Sequence, residues 1–147
     1  MKTVGDLIKD RETITVSPDM TVLEATRLMA EKHIGAVPVI KGDKLLGIFS
    51  ERDLMTRVIA PNLNPETTRV KEVMTRELVV VEKDESYDSC LHKMKESNIR
   101  HLPIISDNKF VGIISLRDLL TVDIENKDHE IRQLHHFIHY VPPAVEV

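Results

Sequence analysis

Two short polar motifs, one in each half of the chain, carry the side chains best suited to binding a small polar molecule. Residues 50–53 read Ser-Glu-Arg-Asp, and residues 115–118 read Ser-Leu-Arg-Asp. A carboxylate can accept hydrogen bonds from both hydroxyls of a cis-diol, and a guanidinium offers a planar pair of donors to phosphate oxygens. A helix beginning at each serine would add backbone N–H groups and the positive end of its dipole. The duplication therefore predicts two similar ligand sites between two similar halves.

The two motifs end a longer repeat. Pro38 and Pro103, in the strands that precede the motifs, have the same separation in sequence as Asp53 and Asp118, and the match runs without a gap from Ile14 and Val79 onward. Repetition over such a length is typical of two copies of one structural unit. The opening segments of the two copies align only after a shift by a single position.

Each unit is predicted to run strand–helix–strand–strand–helix after a short leading helix. The Thr-x-x-Glu pattern at Thr21 has the form of a capping box and places a helix start there. Gly42-Asp43 and Asp107-Asn108 predict the turns of two hairpins. The predicted strands cover residues 14–16, 37–40, 45–49, 78–81, 102–105 and 110–114, and the predicted helices begin at Val4, Thr21, Ser50, Ser86 and Ser115.

A three-stranded sheet with one covered face is marginally stable alone, and these strands are apolar at nearly every position, which indicates burial on both faces. We therefore expect an α/β fold of the α+β type. Two β-α-β-β-α units would pack through their sheets with pseudo-two-fold symmetry and leave two clefts at their junction. The expected boundaries are a first unit at 1–60, a linker at 61–69, a second unit at 70–122, and a helix and tail at 123–147.

Bulk composition narrows the function. A net charge of −4 and an aromatic content of 3% disfavour nucleic-acid binding. No apolar stretch approaches the roughly 20 residues that span a bilayer, the N-terminal residues lack a signal-peptide core, and a single cysteine, Cys90, fits a reducing compartment. We expect a cytoplasmic protein without membrane contact. We expect no catalysis, because no HExxH, CxxC or P-loop motif is present.

The repeated motifs resemble those of a known family. Residues 47–53 and 112–118 both have the form Gly-h-h-Ser-x-x-Asp, where h is apolar, and each follows an h-Pro-h-h strand. From Val4 to about Val122 the chain resembles a tandem pair of cystathionine β-synthase (CBS) domains, also called a Bateman module. The resemblance implies a regulatory module for signal transduction or energy sensing that binds AMP, ADP or ATP, with S-adenosylmethionine or NAD as alternatives. It also implies a homodimer, and an unidentified effector protein would be a further partner.

The resemblance also implies roles for individual residues. Asp53 and Asp118 would accept the ribose hydroxyls, and Ser50 and Ser115 would contact ribose or phosphate. The other expected nucleotide-binding residues are Arg52, Arg100, His101 and Arg117 near phosphate, and Thr15, Val37, Pro38, Val80, Leu102 and Pro103 near adenine. The units differ before their prolines, with Gly35-Ala36 in the first and Arg100-His101 in the second. This difference predicts two unequal sites.

Structural alternatives stand beside these roles. Ser-x-x-Asp also satisfies the capping-box pattern, the arginines could be solvated, and a proline suits the first residue of a strand. In the tail, His135 and His139 have the i, i+4 spacing of metal ligands, yet an ordinary surface helix packed on the module or on a second copy is favoured, and we expect no metal. The functional alternative is a dimeric protein-interaction module whose clefts are vestigial.

Overall fold

The computed structural model describes residues 3–126, so the predicted tail beyond Asn126, with its histidines, lies outside the described residues. The chain forms helices and strands in an alternating order that repeats once. The helices are α1 (Val4–Ile8), α2 (Val22–Lys32), α3 (Glu51–Asp53), α4 (Val70–Val73), α5 (Tyr87–Ser97) and α6 (Leu116–Asn126), with a π-helix at Leu54–Ile59. The strands are β1 (Ala36–Lys41), β2 (Lys44–Ser50), β3 (Val81–Glu82), β4 (His101–Ser106) and β5 (Lys109–Ser115).

The two predicted hairpins are confirmed. β1 pairs antiparallel with β2, and β4 pairs antiparallel with β5, in the same register: Pro38 faces Ile48 as Pro103 faces Ile113. The turns use left-handed backbone, with φ of +66° at Gly42, 52° at Asp107 and 63° at Asn108. Left-handed residues match the twist of a tight hairpin. The hairpins therefore reproduce the sequence repeat at the level of backbone pairing.

The leading strand of each unit is shorter than predicted. Residues 14–16 form no strand, and their pairing with β1 is limited to one parallel bridge between Val16 and Val39. Pro18 cannot extend this pairing into a ladder, because proline has no backbone N–H to donate. The predicted strand at 78–81 is reduced to β3, Val81–Glu82, which pairs parallel with β4. The described strands thus form one two-stranded and one three-stranded sheet.

Capping groups place the starts of α2 and α5 where the sequence predicted them. The Thr21 hydroxyl accepts the Glu24 N–H at 3.1 Å at the start of α2, and Ser86 accepts the Ser89 N–H at 3.2 Å at the start of α5. Both helices end at a left-handed residue, with φ of 57° and 53° at the respective C-caps. Each cap satisfies a backbone N–H that has no partner within the helix. The two capping residues occupy equivalent positions of the repeat, so α2 and α5 begin at equivalent positions of the two units.

The helix predicted from Ser50 departs from regular geometry. It begins as one α-helical turn, α3, and continues as a π-helix over Leu54–Ile59, which ends with an N–H of Ala60 donating to the Met55 carbonyl at 2.9 Å. The equivalent helix of the second unit, α6, is α-helical for 11 residues. A π-helix wedges extra backbone into a turn and is often found beside functional sites. The two halves therefore differ just after their Ser-x-x-Asp motifs.

The leading helix of each sequence repeat packs into the other half. Val4 is fully buried in the core of the second unit, with Leu7 and Ile8 packed against that core. Val70 and Val73 are buried in the core of the first unit. The halves also meet at their hairpins, where the Phe110 N–H donates to the Asp43 carbonyl at 3.1 Å. Each core is therefore completed by the leading helix of the other repeat. The result is a mixed α/β fold of two related units.

Candidate functional site

A cleft of about 890 Å³ lies around Asp118, where the two halves meet. Its walls come from the extended segment at 11–14, the end of α2, the start of β1 and the first turn of α6. The polar residues that line it are Arg11, Glu12, Thr13, His33, Glu51, Arg100, His101, Ser115, Arg117 and Asp118. The apolar wall consists of Ile14, Met29, Ala30, Ile34, Ala36, Ile113, Leu116 and Leu120. A cleft with an apolar wall and a few converging polar groups is the usual form of a small-molecule site.

Two neighbours hold the Asp118 carboxylate in this cleft. Arg11 donates from Nη1 to Oδ2 at 2.9 Å and from Nη2 to Oδ1 at 3.2 Å, which is a bidentate ion pair. The Ser115 N–H donates to Oδ2 at 2.8 Å, and the Ser115 hydroxyl accepts the Asp118 N–H at 3.1 Å. Burial acts to raise the pKa of Asp118, but the hydrogen bonds from Arg11 and Ser115 outweigh it and leave that pKa below its usual value. The Asp118 side chain is therefore negatively charged and held in one orientation. Ser115 caps the first turn of α6, to which Asp118 belongs.

The basic residues that set the second unit apart line this same cleft. His101 pairs with Ser115 between β4 and β5, and Arg100 and His101 line the cleft together with Asp118 and with Gly35 and Ala36 of the first unit. Burial lowers the pKa of His101, although the carboxylates of Asp118 and Glu51 act in the opposite direction. An imidazole with a lowered pKa is neutral near pH 7. His101 therefore adds no positive charge beside Asp118 at neutral pH, whereas the arginines that line the cleft do.

The cleft is close to electrically balanced. Three guanidinium groups line it, and so do three carboxylates; the residues are Arg11, Arg100, Arg117, Glu12, Glu51 and Asp118. A triphosphate brings several negative charges, whereas like charges at close range cost binding energy. The lining therefore suits a ligand of low net charge better than a highly charged one.

The equivalent aspartate of the first unit is enclosed. Asp53 Oδ2 accepts the Ser50 N–H and the Ser50 hydroxyl, both at 3.0 Å, and Oδ1 accepts the Thr75 hydroxyl at 2.9 Å. The Arg57 Nε lies 3.7 Å from Oδ1. The Asp53 side chain is 6% exposed, against 24% for Asp118. Neutral hydroxyl and backbone donors therefore make the hydrogen bonds to Asp53, with Arg57 as a more distant ion-pair neighbour, whereas Asp118 is held by a bidentate arginine.

Several residues expected near a nucleotide lie outside the Asp118 cleft. Of the expected set, Arg100, His101, Ser115, Arg117 and Asp118 line it. The strand residues expected near adenine do not: Val37, Pro38, Leu102 and Pro103 are buried within β1 and β4, Thr15 is exposed, and Val80 is half-buried. Ser50 caps α3 beside Asp53, and Arg52 is exposed outside the cleft. The apolar wall comes instead from the end of α2 and from residues that flank the strands.

Sequence reasoning missed Arg11 as the partner of Asp118. A signal was available, because Arg76 occupies the position of the second repeat that corresponds to Arg11. The structure gives the two arginines different contacts, since Arg76 donates to the Lys71 carbonyl at 2.9 Å. Glu51 and His33 were also missed, and the latter ends α2 in a left-handed conformation at the cleft wall.

The described part of the chain contains neither a metal-binding cluster nor a membrane-spanning helix. Between residues 3 and 126, no group of three or more His, Cys, Asp or Glu side chains could hold a metal ion. In the same part of the chain, no helix has the length and apolar character needed to cross a membrane.

One protein-family model matches both halves of the chain. The CBS domain family matches residues 4–60 and again residues 70–125. Protein MJ1232 of Methanocaldococcus jannaschii is 39% identical over 120 residues, which is 81% of this chain and 38% of that protein. Protein MK0525 of Methanopyrus kandleri is 34% identical over 82% of this chain and 62% of its own length. The chain thus spans less than two thirds of these two archaeal relatives.

Other relatives match over most of both chains. CBS domain-containing protein YhcV of Bacillus subtilis is 37% identical over 82% of this chain and 87% of its own. A signal-transduction protein with CBS domains from Burkholderia ambifaria, described as putative, superposes with a TM-score of 0.79 at 37% identity, over 86% of this chain and 96% of its own. The CBS domain pair of protein MJ0100, solved with 5′-methylthioadenosine and S-adenosyl-L-methionine, superposes with a TM-score of 0.76 at 26% identity, over 86% of this chain and 99% of its own.

Proposed function

Because this chain belongs to the CBS domain family and carries the domain twice in tandem, we propose that it is a regulatory protein that binds an adenosine-containing ligand in the cleft around Asp118. The observation that carries the proposal is the Asp118 carboxylate itself, a fixed anion at a helix start beside an apolar wall and three arginines. The structural neighbour MJ0100, a CBS pair in complex with 5′-methylthioadenosine and S-adenosyl-L-methionine, supports the ligand class.

Each part of such a ligand has a matching surface in the cleft. The two ribose hydroxyls would donate to Asp118, since a carboxylate accepts both in charge-assisted bonds. The purine would lie against the apolar wall that includes Met29 and Ile34. A phosphate would lie near Arg100 and Arg117, whose planar guanidinium groups suit its oxygens.

The charge balance of the cleft selects among adenosine ligands. Glu12 and Glu51 face the same space as the arginines, so each added phosphate gains less attraction than it would in a purely basic site. We expect AMP or S-adenosylmethionine to bind more tightly than ATP, with NAD as a further candidate. Dissociation constants suited to sensing cellular levels lie between roughly micromolar and millimolar, or about 4–8 kcal/mol of binding free energy.

We propose a non-catalytic role in which binding shifts the packing of the two halves. A ligand changes an equilibrium only by its differential affinity for the two states, and this cleft is built from segments of both halves, including residues 11–14 and α6. An effector protein would read that shift. A reducing cytoplasm suits the buried, unpaired Cys90.

Titration calorimetry with AMP, ATP, S-adenosylmethionine and NAD tests the proposed function. We expect a measurable dissociation constant for at least one, in the order stated above, and mass spectrometry of protein purified without added ligand should show whether one co-purifies. The sensor role is wrong if none of the four gives heat or displaces a co-purified molecule. A dimeric interaction module with vestigial clefts would then be the better account.

We also propose that the protein is a homodimer that pairs through the helices following its Ser-x-x-Asp motifs. Met55 and Ile59 of the π-helix are 60% and 57% exposed, and Leu120, which corresponds to Met55 in the second repeat, is 47% exposed. Large apolar side chains at repeated positions form a surface that a two-fold axis can match with itself.

Replacing Met55 and Ile59 together by glutamate should convert the dimer to a monomer at micromolar concentration, since buried like charges would face each other across the axis. Sedimentation velocity of wild type and variant measures the mass directly. Val111→Glu is the matched control, because Val111 is also exposed, at 40%, but lies on a hairpin. A monomeric wild type, or a variant that sediments like it, would contradict this arrangement.

A further inference from the structure

The segments that follow the leading helices of the two repeats, residues 9–13 and 75–78, make different contacts with the rest of the protein. Most contacts of one half have a counterpart in the other: the bridge between Thr21 and Arg69 matches that between Thr3 and Ser86. The bridge between Thr75 and Ile48 has no such counterpart, because no bridge joins Asp10 to Ile113 within residues 3–126. The segment at 9–13 is therefore held without the backbone pairing that secures the segment at 75–78.

A difference in length accompanies this difference in contacts. The segment between Ile8 and Ile14 is longer by a single position than the segment between Met74 and Val79. Thr75 exchanges two backbone hydrogen bonds with Ile48, at 2.8 and 3.0 Å, and its hydroxyl donates to Asp53. The longer first segment instead contacts its aspartate through the Arg11 side chain, across 107 residues of sequence.

The Arg11 contact occupies the group that a ribose would need. Both Asp118 oxygens accept from Arg11, and Oδ2 also accepts from Ser115. The Arg11 side chain is 37% exposed, so the guanidinium already meets solvent, and an ion pair at this exposure contributes little free energy. Ligand hydroxyls can therefore exchange with the arginine at small cost, whereas the enclosed donors around Asp53 offer no such exchange.

We propose that Arg11 is an exchangeable latch: adenosine ligands take Asp118 from it, the freed guanidinium turns to the ligand phosphate, and the segment at 9–13 is released from α6. The proposal rests on the proposed function of the Asp118 cleft and adds its regulation. Arg11 then has opposite effects on two ligands, since it competes with the ribose of every adenosine compound and attracts the phosphate of AMP. Release of this segment would alter the packing of α1, which directly precedes it and packs in the core of the second unit. An effector protein would recognise that change.

Calorimetry of Arg11→Gln with adenosine and with AMP tests the latch. Adenosine should bind the variant up to about fivefold more tightly than wild type, because no ion pair of roughly 1 kcal/mol must be broken. The advantage of AMP over adenosine should fall by roughly tenfold, which corresponds to the lower end of the free energy of a hydrogen bond to a charged group. Arg11→Lys is the matched control, because lysine keeps the positive charge but lacks the bidentate guanidinium. Its affinities for adenosine and AMP should lie between those of wild type and Arg11→Gln.

Hydrogen exchange of residues 9–13 gives a second readout. Adenosine should speed exchange there in wild type, Arg11→Gln should do so without ligand, and residues 74–77 should remain unchanged in both. If wild type binds AMP but Arg11→Gln binds adenosine no more tightly than wild type does, the latch is wrong and the proposed function stands. If neither protein binds adenosine or AMP, the proposed function fails for these ligands and the latch fails with it.

Discussion

Replacing Asp118 by asparagine should lower the affinity for adenosine ligands by about 100-fold, whereas the same change at Asp53 should alter it less than threefold. Each hydrogen bond to a charged acceptor contributes about 1.5–3 kcal/mol, and the two ribose hydroxyls would lose the charge of their shared acceptor. A loss of about 2.7 kcal/mol corresponds to a factor of 100. Asparagine keeps the size of the side chain, so the shape of the cleft is retained.

The contrast with Asp53 follows from its surroundings. Its two oxygens already accept from Ser50 and Thr75, and its side chain is 6% exposed. A ligand would have to displace neutral donors that are packed and partly buried, which leaves those donors unsatisfied. These surroundings favour the proposed ligand site on the Asp118 side, although the motifs alone predict a ribose acceptor in both halves.

Parallel calorimetry of wild type, Asp118→Asn and Asp53→Asn provides the measurement, with circular dichroism to establish that each variant is folded at the working temperature. The ligand should be the one that binds wild type most tightly. Loss of binding in Asp53→Asn with normal binding in Asp118→Asn would place the ligand in the other half. Equal binding by all three proteins would remove ribose recognition from both aspartates.

Local sequence signals predicted the repeated parts of the fold well. Capping groups such as Thr21 and Ser86, and turn residues such as Asp107-Asn108, act over a few residues, so their patterns are visible in the chain. The hairpins and long helices were therefore placed correctly. The leading strands were predicted too long, because apolar β-branched residues favour a strand wherever they occur, whereas a ladder also requires a neighbour with free backbone groups.

The site was predicted less completely, since its main contacts join distant parts of the chain. Arg11 and Asp118 are 107 residues apart, and no spacing rule connects them. The exchange of α1 and α4 between the halves was likewise hidden, because each helix stands beside its own repeat in sequence. One clue was present in the chain, since the extra residue between Ile8 and Ile14 lies just where the two halves come to differ.

Asp53 is expected to stabilise the fold much more than its repeat partner does. Replacing it by alanine should lower the free energy of unfolding by about 3 kcal/mol, because the partly buried Ser50 N–H and the Thr75 hydroxyl lose a charged acceptor and the helix loses half of its capping box. Asp118→Ala should cost less, about 1–2 kcal/mol, because it also deprives the Ser115 N–H of its acceptor but leaves no buried hydroxyl without a partner, and the ion pair it breaks is partly exposed to water.

Urea unfolding at one fixed protein concentration, followed by circular dichroism, measures both values, and the Asp53→Ala change should also lower Tm by about 10 °C. Thr75→Val supplies the matched test, because it removes the hydroxyl donor and keeps the shape of the side chain. If Asp53 and Thr75 act as one unit, the double variant should lose clearly less than the sum of the single losses. Additive losses, or an Asp53→Ala protein as stable as Asp118→Ala, would show that the enclosed carboxylate does not fasten the Thr75 segment to the first half.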